Sequence, residues 1–315
     1  MSGIGAGLAG QVIDNSYFTS RLDTSEEWIL RRTGIRQRRW LEDGVSLGAL
    51  AEQACRDALQ DAGAEPGDID QVIVSTITPD LITPGLAPAL ITALGLREIP
   101  ALDLNAACAG FLYGLDQAAA QIESGRARHV LVCAAEALSR LTDLQDRSTA
   151  ILFGDGAAAA VVSGAEDVGG WSPFVLGADG DKADVLFADT NDRKLRMSGQ
   201  QVFRHAVPRM AGALREALAR DELGVEDLDL VVAHQANARI IEAVAADLGV
   251  DTDRLVVNVD RFANTSSATI PIALWEADRA GRLRPGARVG LVAFGAGFVW
   301  GAGIITWKEP VGAPA

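Results

Sequence analysis

The sequence of 315 residues predicts an α/β fold. Strand-like apolar runs alternate with amphipathic helical patterns along most of the chain, as expected when helices connect the strands of a sheet. Several of the strand-like runs are apolar without a break, which predicts a sheet that is covered on both faces. In addition, the second half of the chain repeats the pattern of the first. Together these observations predict two similar α/β units.

The elements of the first unit begin with a helix over residues 46–62, where apolar residues recur with helical spacing. Ser46 is in the N-cap position, and Gly63 follows the last turn. A second helix is predicted from about Ala109 to near Gly125. The apolar runs predict strands at 71–77, 99–104, 129–135 and 151–163. In the second unit, a helix over 202–219 leads to a strand at 229–233.

The repeat relates positions that are 159 residues apart, such as Leu59 with Leu218 and Asp70 with Asp229. The run I-L-F-G-D-G-A-A-A-A-V-V has a later counterpart in V-A-F-G-A-G-F-V-W-G-A-G-I-I. Chance likeness of two α/β segments is the alternative explanation. We interpret the chain as a duplicated unit, with an N-terminal half over 1–165 and a C-terminal half over 166–315. The two halves are expected to join near the glycine-rich segment 164–171.

The composition excludes several classes of protein. The formal net charge is −14, whereas a nucleic-acid binder needs a basic surface to neutralise phosphates. No run approaches the roughly 18 apolar residues of a membrane-spanning helix, and the first ten residues lack the basic start of a signal peptide. The three cysteines have no paired spacing, as expected in a reducing compartment. We therefore expect a folded cytoplasmic protein that binds neither membrane nor nucleic acid.

Two local motifs each allow more than one functional interpretation. The stretch G-A-G-L-A-G at 5–10 has the spacing of a dinucleotide-binding loop, but only four residues precede it and no full strand can lead into it. We do not interpret it as a nucleotide site. The arginine-rich stretch R-R-T-G-I-R-Q-R-R-W at 31–40 is either an anion site for one phosphate-bearing ligand or a solvated basic loop.

The three cysteines differ in context. Cys55 lies on the apolar face of a predicted helix and Cys133 in an apolar run, so both are expected in the core. Cys108 instead precedes a predicted helix, among small residues that leave room for a substrate. Unpaired N–H groups and the helix dipole at such a position favour a thiolate. Cys108 is therefore a candidate nucleophile, and a buried spacer is the alternative.

Two further residues stand where strands or loops meet helices. His234 ends a predicted strand, and side chains at the carboxyl ends of strands face the crevice in which α/β proteins bind ligands. Asn264 lies at another loop-to-helix junction, where its alternative role is helix capping. His129 and His205 are expected to be surface or core residues.

Six motifs occur in order along the chain. They are D-T-S-E-E-W-I-L-R-R-T-G-I-R-Q-R-R, N-A-A-C-A-G-F, F-G-D-G-A, H-Q-A-N-A-R-I-I, N-T-S-S-A-T-I-P-I-A-L and F-G-A-G-F-V-W-G. Together they resemble the 3-oxoacyl-(acyl-carrier-protein) synthase III family of the thiolase superfamily, over about residues 3 to 307. The resemblance implies a thiolase-like fold, in which two duplicated halves form a five-layered α-β-α-β-α core.

The resemblance implies a catalytic set of Cys108, His234 and Asn264. An acyl-CoA would acylate Cys108, with the backbone N–H groups of Cys108 and Ala296 as the oxyanion hole. His234 and Asn264 would then stabilise the enolate that forms when malonyl-ACP loses carbon dioxide. No metal or redox cofactor is implied.

The resemblance also assigns binding residues, and it implies a homodimer whose loop T-P-D-L-I-T-P-G reaches the partner's acyl pocket. Thr83 stands where some members have phenylalanine, which predicts a roomier pocket. The helix after His234 lacks lysines that some relatives carry for the acidic carrier protein, and Ala296 replaces a frequent glycine. The assignments are Trp28, Arg32, Arg147, Asn237 and Gln200 for CoA, Thr83, Leu138 and Phe153 for the acyl group, and Arg204 and Arg239 for the carrier protein.

The expected activity is decarboxylative condensation of an acyl-CoA with malonyl-ACP. A starter-unit ketosynthase or acyltransferase of a specialised polyketide pathway is the alternative with the same fold. Asn264 favours condensation, because simple acyl transfer needs no enolate stabiliser. A non-catalytic scaffold is disfavoured because all three catalytic positions are occupied. A CoA-dependent thiolase is disfavoured because F-G-A-G-F has no second cysteine.

Overall fold

The computed structural model describes residues 1–164 and 173–307. The strands are β1 Gly3–Leu8, β2 Gln11–Asp14, β3 Gln37–Trp40, β4 Gln71–Ser75, β5 Ala101–Leu104, β6 His129–Ala137, β7 Asp155–Ser163, β8 Val175–Ala178, β9 Leu186–Ala188, β10 Leu195–Met197, β11 Leu230–Ala233, β12 Arg288–Gly295 and β13 Val299–Thr306. The helices are α1 Ser16–Thr19, α2 Glu26–Thr33, α3 Leu47–Ala62, α4 Leu86–Leu94, α5 Gly110–Glu123, α6 Gly199–Arg220, α7 Ala238–Leu248, α8 Val259–Phe262 and α9 Thr269–Arg279. None of these helices has the length and apolarity that a membrane crossing requires.

Two mixed sheets share one strand arrangement. The first has the order β1-β7-β6-β4-β5 and the second β8-β13-β12-β11. In both sheets the first and second strands of this order pair antiparallel, and so do the second and third. The third and fourth strands pair parallel. A parallel bridge from Val231 to Leu255 stands where β5 stands in the first sheet. The described strands of each sheet belong to one half of the chain, as the duplication predicts.

The helices and sheets form five layers. On one outside, α3 packs on β1, β7 and β6, and on the other α6 packs on β13, β12 and β8. Between the sheets lie α5, which contacts β6 and β13, and α9, which contacts β1 and β11. The α-β-α-β-α order is therefore confirmed. The middle layer is deeply buried, with Phe111, Leu112, Ile270 and Leu274 at most 1% exposed.

The two middle helices begin in the same way, 159 residues apart. A 3₁₀ turn at 107–109 precedes α5, and another at 266–268 precedes α9. The first residue of each turn has positive φ, 43° at Ala107 and 51° at Ser266. An asparagine two residues earlier accepts a hydrogen bond from that residue's amide, at 3.3 Å for Asn105 and 2.8 Å for Asn264. The two turns pack against each other.

Most predicted elements are confirmed, including the helix that Ser46 caps through the Ala49 amide at 3.1 Å. The strand predicted at 151–163 is too long, since β7 begins at Asp155. Residues 152–154 leave the sheet direction because they bond instead to Asn264 of the other half. The junction predicted at 164–171 and the division at 165/166 lie, apart from Gly164, outside the described residues.

The glycines of G-A-G-L-A-G serve packing. A Cβ atom on Gly5 would lie 2.3 Å from the Ala54 carbonyl oxygen of α3, so glycine lets α3 lie directly on β1. The contact gives Gly5 a packing role, which supports the interpretation that the motif is not a nucleotide site.

Candidate active site

A cavity of about 560 Å³ opens where several strands end. Ile77 and Leu138 follow β4 and β6 of the first sheet, and His234 and Ala296 follow β11 and β12 of the second. The carboxyl ends of both sheets therefore supply the walls, as expected for ligand sites of α/β proteins. Cys108 and Asn264 complete the set that the sequence predicts.

Cys108 lies in the 3₁₀ turn before α5 and is reachable from the cavity. Burial raises the pKa of its thiol to about 12, although a contact with Ser266 lowers it and the Glu136 charge raises it further. The expected shift toward thiolate is therefore not found in the free chain. Desolvation outweighs the helix terminus, because the turn is packed between two halves of the protein.

The end of β12 approaches Cys108 closely. A Cβ atom on Gly295 would lie 2.7 Å from the Cys108 backbone nitrogen, so no larger residue fits there without a shift. Ala296, the next residue, lines the cavity. The backbone segments of both predicted oxyanion donors thus lie side by side.

His234 is 3% exposed, and burial lowers the pKa of its imidazole to about 3, which keeps it neutral. Its Nδ1 lies 2.7 Å from the hydroxyl of Thr269, and that hydroxyl lies 3.0 Å from the Ser266 carbonyl oxygen. The hydroxyl has one proton to donate, either to Nδ1 or to the carbonyl. Donation to Nδ1 leaves the imidazole proton on Nε2, which makes Nε2 a hydrogen-bond donor.

Asn264 is held from both halves of the chain. Its amide donates to the Leu152 carbonyl and its carbonyl accepts from the Gly154 amide, both at 3.0 Å. Its side-chain Oδ1 accepts from the Ser266 amide at 2.8 Å. The Nδ2 group is therefore the end of the side chain that is left to donate to a ligand in the cavity.

The cavity mouth carries an aromatic and cationic group of residues. The Arg147 guanidinium lies 4.7 Å from the centroid of the Trp28 ring, and that of Arg32 lies 5.9 Å from it. Since each stacking contact takes about 3.5 Å, a planar ring between Trp28 and Arg147 would need about 7 Å. These side chains must separate to admit one.

The remaining predicted polar residues divide between the rim and the exterior. Asn237 caps α7 through the Arg239 amide at 2.9 Å and donates to the Arg32 carbonyl at 3.1 Å. Gln200 and Arg239 line the cavity at its exposed rim. Arg204 is exposed on α6 and is not among the cavity residues.

The apolar part of the cavity lining includes the predicted Leu138 and Phe153. Thr83 lies on the exposed loop before α4 and does not line the cavity of a single chain. Sequence reasoning missed further apolar lining residues because β9, β10 and the inward side of α6 carry no motif of their own. These residues are Ile151, Leu186, Leu195, Met197, Val202, Ala206 and Met210.

A buried carboxyl group behind Cys108 was also missed. Glu136, near the end of β6, is fully buried and accepts hydrogen bonds from the Ile77 amide at 3.1 Å and the Thr78 hydroxyl at 3.0 Å. A third comes from the Ser267 hydroxyl, at 2.9 Å, in the opposite half. The sequence signal was present, since an acidic residue that ends the apolar run V-L-V-C-A-A calls for a buried partner.

Several residues that the sequence analysis considered lie outside the cavity and make structural contacts instead. Arg38 of the basic stretch is fully buried and bonds to the Asn15 side chain at 3.0 Å and the Ile151 carbonyl at 2.8 Å. Cys55 and Cys133 are buried, as predicted. His129 bonds to Ser163, and His205 to Arg209, both away from the cavity.

These features of the fold and the cavity define a class of protein. Two duplicated α/β halves that bring a cysteine, a histidine and an asparagine to one cavity are the arrangement of a thiolase-fold acyltransferase. Comparison with known proteins identifies the family within that class. The family model described as 3-oxoacyl-[acyl-carrier-protein (ACP)] synthase III matches residues 102–180, and its C-terminal model matches residues 218–307.

The chain belongs to the 3-oxoacyl-(acyl-carrier-protein) synthase III family. It is 44% identical over 313 residues to a beta-ketoacyl-[acyl-carrier-protein] synthase III of Rhizorhabdus wittichii, with 97% of this chain and 98% of that protein covered. A 3-oxoacyl-[acyl-carrier-protein] synthase III from Aquifex aeolicus has a TM-score of 0.94 at 39% identity, covering 97% of this chain and 99% of the other. The priming beta-ketosynthase of the R1128 polyketide pathway has a TM-score of 0.93 at 39% identity, covering 98% and 96%.

Proposed function

We propose that this protein condenses an acyl-CoA primer with malonyl-ACP to give 3-oxoacyl-ACP, carbon dioxide and CoA. The observation that carries the proposal is the meeting of Cys108, His234 and Asn264 in one cavity, with the Asn264 amide oriented by Ser266. Membership of the family supports the same reaction.

In the first half-reaction, Cys108 attacks the thioester carbonyl and CoA leaves as a thiolate. The backbone N–H groups of Cys108 and Ala296 stabilise the tetrahedral oxyanion. The pairing of Trp28 with Arg147 provides two flat surfaces for the adenine ring, and Arg32, Asn237 and Gln200 bind the rest of the CoA. The apolar part of the lining, which includes Leu138 and Phe153, receives the acyl chain.

In the second half-reaction, malonyl-ACP loses carbon dioxide and its carbanion attacks the acyl-cysteine. Nδ2 of Asn264 and Nε2 of His234 donate to the malonyl thioester oxygen, which carries the enolate charge. A neutral, buried imidazole suits this role, because it donates a hydrogen bond without releasing its proton. The scheme uses no metal or redox cofactor, and exposed Arg204 and Arg239 attract the acidic carrier protein.

The working form in this proposal is a cytoplasmic homodimer. A reducing compartment keeps the Cys108 nucleophile as a free thiol. Strand β5 is at the edge of its sheet with Leu102 41% exposed, and Ile82 of the nearby loop is 99% exposed. An unpaired edge beside an apolar loop is a natural surface for a second copy, whose acyl pocket Thr83 would then reach.

A starter-unit ketosynthase or acyltransferase of a specialised pathway is the second candidate. It is favoured by the high similarity to the R1128 priming ketosynthase. The two candidates differ in what discharges the acyl-cysteine.

The test is intact-protein mass spectrometry with acetyl-, isobutyryl- and octanoyl-CoA, followed by a chase with malonyl-ACP. We expect an acyl adduct on Cys108 that is absent in Cys108→Ala and is discharged as 3-oxoacyl-ACP. His234→Ala and Asn264→Ala should keep the adduct and slow its discharge by about 10²–10³-fold. An adduct that forms normally in Cys108→Ala contradicts the nucleophile assignment. Discharge only to a hydroxyl or amine acceptor supports the second candidate.

A further inference from the structure

The thiol of Cys108 must lose its proton before or during attack, and the site contains a path for it. Ser266 is 1% exposed, and its hydroxyl has no hydrogen-bond partner among the described residues. It nevertheless lies close enough to the Cys108 thiol and the Glu136 carboxyl to lower the pKa of both. The hydroxyl is thus a buried neighbour of both the nucleophile and a buried carboxyl group.

The backbone fixes this placement. The 266–268 turn packs against both the 107–109 turn and the strand β6 that carries Glu136. The Ser266 amide donates to the Asn264 side chain at 2.8 Å, which fixes the backbone next to the Ser266 side chain. Its φ of 51° is one that residues other than glycine seldom adopt. A strained backbone that holds a buried hydroxyl without a partner is a known mark of functional sites.

We propose that Ser266 and Glu136 form a relay that accepts the Cys108 proton during acylation and returns it after condensation. This relay rests on the acyl-cysteine chemistry proposed above. Ser266 contacts the reacting thiol, whereas Glu136 acts through Ser266 and does not touch the substrate.

The steps balance over one turnover. As the Cys108 sulfur bonds to the acyl carbon, its proton moves to the Ser266 oxygen and the Ser266 proton moves to Glu136. The bond from the acyl carbon to the CoA sulfur breaks, and the CoA thiolate takes a proton from water. When the carbanion later attacks the acyl-cysteine, the Cys108 thiolate leaves and recovers the stored proton from Glu136 through Ser266.

The surroundings of Glu136 suit a proton store. Burial raises its pKa to about 7, while the surrounding hydrogen bonds lower it. The groups that face it are the Ile77 amide, the Thr78, Ser266 and Ser267 hydroxyls and the Cys108 thiol. Only Cys108 among them titrates. The negative charges of Glu136 and Cys108 would repel each other. The state in which the pair keeps one proton is therefore favoured over the state in which both groups are ionised.

The test is the rate of acyl-Cys108 formation in a single turnover, measured by quenched-flow mass spectrometry from pH 5.5 to 9. We expect the wild-type rate to fall as pH drops below about 7, because protonated Glu136 cannot accept a second proton. Glu136→Gln and Ser266→Ala should acylate on the order of 10²-fold more slowly and lack this pH dependence. Ser267→Ala is the matched control. It removes a hydrogen bond to Glu136 without interrupting the relay, so it should move the midpoint upward and keep the maximal rate.

Two results for Glu136→Gln would contradict the relay. If the only effect of Glu136 is that its negative charge disfavours the Cys108 thiolate, Glu136→Gln will be acylated as fast as the wild type or faster, and the relay is wrong. A pH midpoint that persists in Glu136→Gln also overturns it. If Glu136→Gln does not fold, as judged by circular dichroism, Ser266→Ala decides by the same two measurements.

A second probe separates this inference from the proposed function. Alkylation of Cys108 by iodoacetamide needs no acyl-CoA, and the relay predicts slower alkylation in Glu136→Gln at pH 8. Slow alkylation in that variant together with no wild-type acylation by any acyl-CoA would retain the relay and reject the condensation reaction. Normal acylation of Glu136→Gln would reject the relay and leave the proposed condensation reaction intact.

Discussion

At the scale of single residues, the site is built around neutral groups. Burial holds His234 neutral and keeps the Cys108 thiol protonated at physiological pH. Apart from the Glu136 carboxylate, charge therefore appears only as the reaction proceeds, on the oxyanion, the enolate and the departing thiolates. Fixed dipoles in a water-poor cavity stabilise such transient charge well, because they need no reorganisation when it forms.

The Thr269 hydroxyl should decide which imidazole nitrogen of His234 carries the proton. Thr269→Val removes the donor to Nδ1, and the imidazole then has no group that keeps its proton on Nε2. We expect discharge of the acyl-enzyme by malonyl-ACP to slow by about 10²-fold, while acylation stays near normal. Thr269→Ser should restore the rate. A Val variant as fast as wild type, or a Ser variant as slow as Val, would show that Thr269 has no such role.

Glu136 should make the stability of the protein depend on pH. Its pKa rises from 4.5 to about 7 on folding, so its favourable contribution is complete below the unfolded value and is lost as pH rises through about 7. A pKa difference of this size corresponds to about 3 kcal/mol. Glu136→Gln should therefore be more stable than wild type at pH 8, and most of this gain should disappear at pH 5. Urea unfolding at both pH values measures this, and exposed Glu98→Gln should show no such difference.

The residues that sequence could identify are those in local motifs. Cys108, His234 and Asn264 stand at strand or helix boundaries, where patterns are readable. Ser266 lies within the motif N-T-S-S-A-T-I-P-I-A-L and Glu136 ends an apolar run, yet neither pattern predicts a catalytic role. Their importance depends on contacts between residues 130 positions apart, which no local pattern encodes. The pKa of Cys108 was misjudged for the same reason, since burial is a tertiary property.

At the scale of elements, the strands and turns set the position of the nucleophile. The amphipathic periods predicted α3 and α6 well, because each helix packs one apolar face on a sheet. The strand predicted at 151–163 was too long, because residues 152–154 are apolar but pair with Asn264 instead of continuing β7. Apolar character alone does not tell which partner a segment will find.

The end of β12 should control the placement of Cys108. Gly295→Ala puts a methyl group 2.7 Å from the Cys108 nitrogen, which forces the 107–109 turn and the strand apart. We expect acylation to fall by about 10²-fold, the cost of roughly 1 Å of misplacement. Gly212→Ala on α6 is the control, since no atom lies within 4 Å of its added methyl group. It should keep full activity and gain up to about 1 kcal/mol in the free energy of unfolding. Equal acylation rates in the two variants would contradict the steric argument.

At the scale of the whole molecule, the edge of the first sheet should be a subunit interface. Ile82→Asp combined with Leu102→Asp places two charges where apolar side chains are 99% and 41% exposed. If two copies pair there, light scattering should show the variant at half the wild-type mass, with weakened acylation because Thr83 no longer reaches a partner. Val12→Asp on β2, where the side chain is 48% exposed, should leave the mass unchanged. A wild-type protein that is monomeric at micromolar concentration would refute the proposal.

The paired asparagines of the two middle-layer turns suggest how the site arose. Asn105 and Asn264 make the same bond to the first amide of their turns, so that bond belongs to the ancestral unit and predates any division of labour. In one half the turn holds the Cys108 thiol, while in the other the remaining amide group of Asn264 is left to donate into the cavity that Cys108 lines. The enolate-binding group that we propose therefore uses a turn and a residue type that both halves share, and its chemistry depends on the nucleophile of the opposite half.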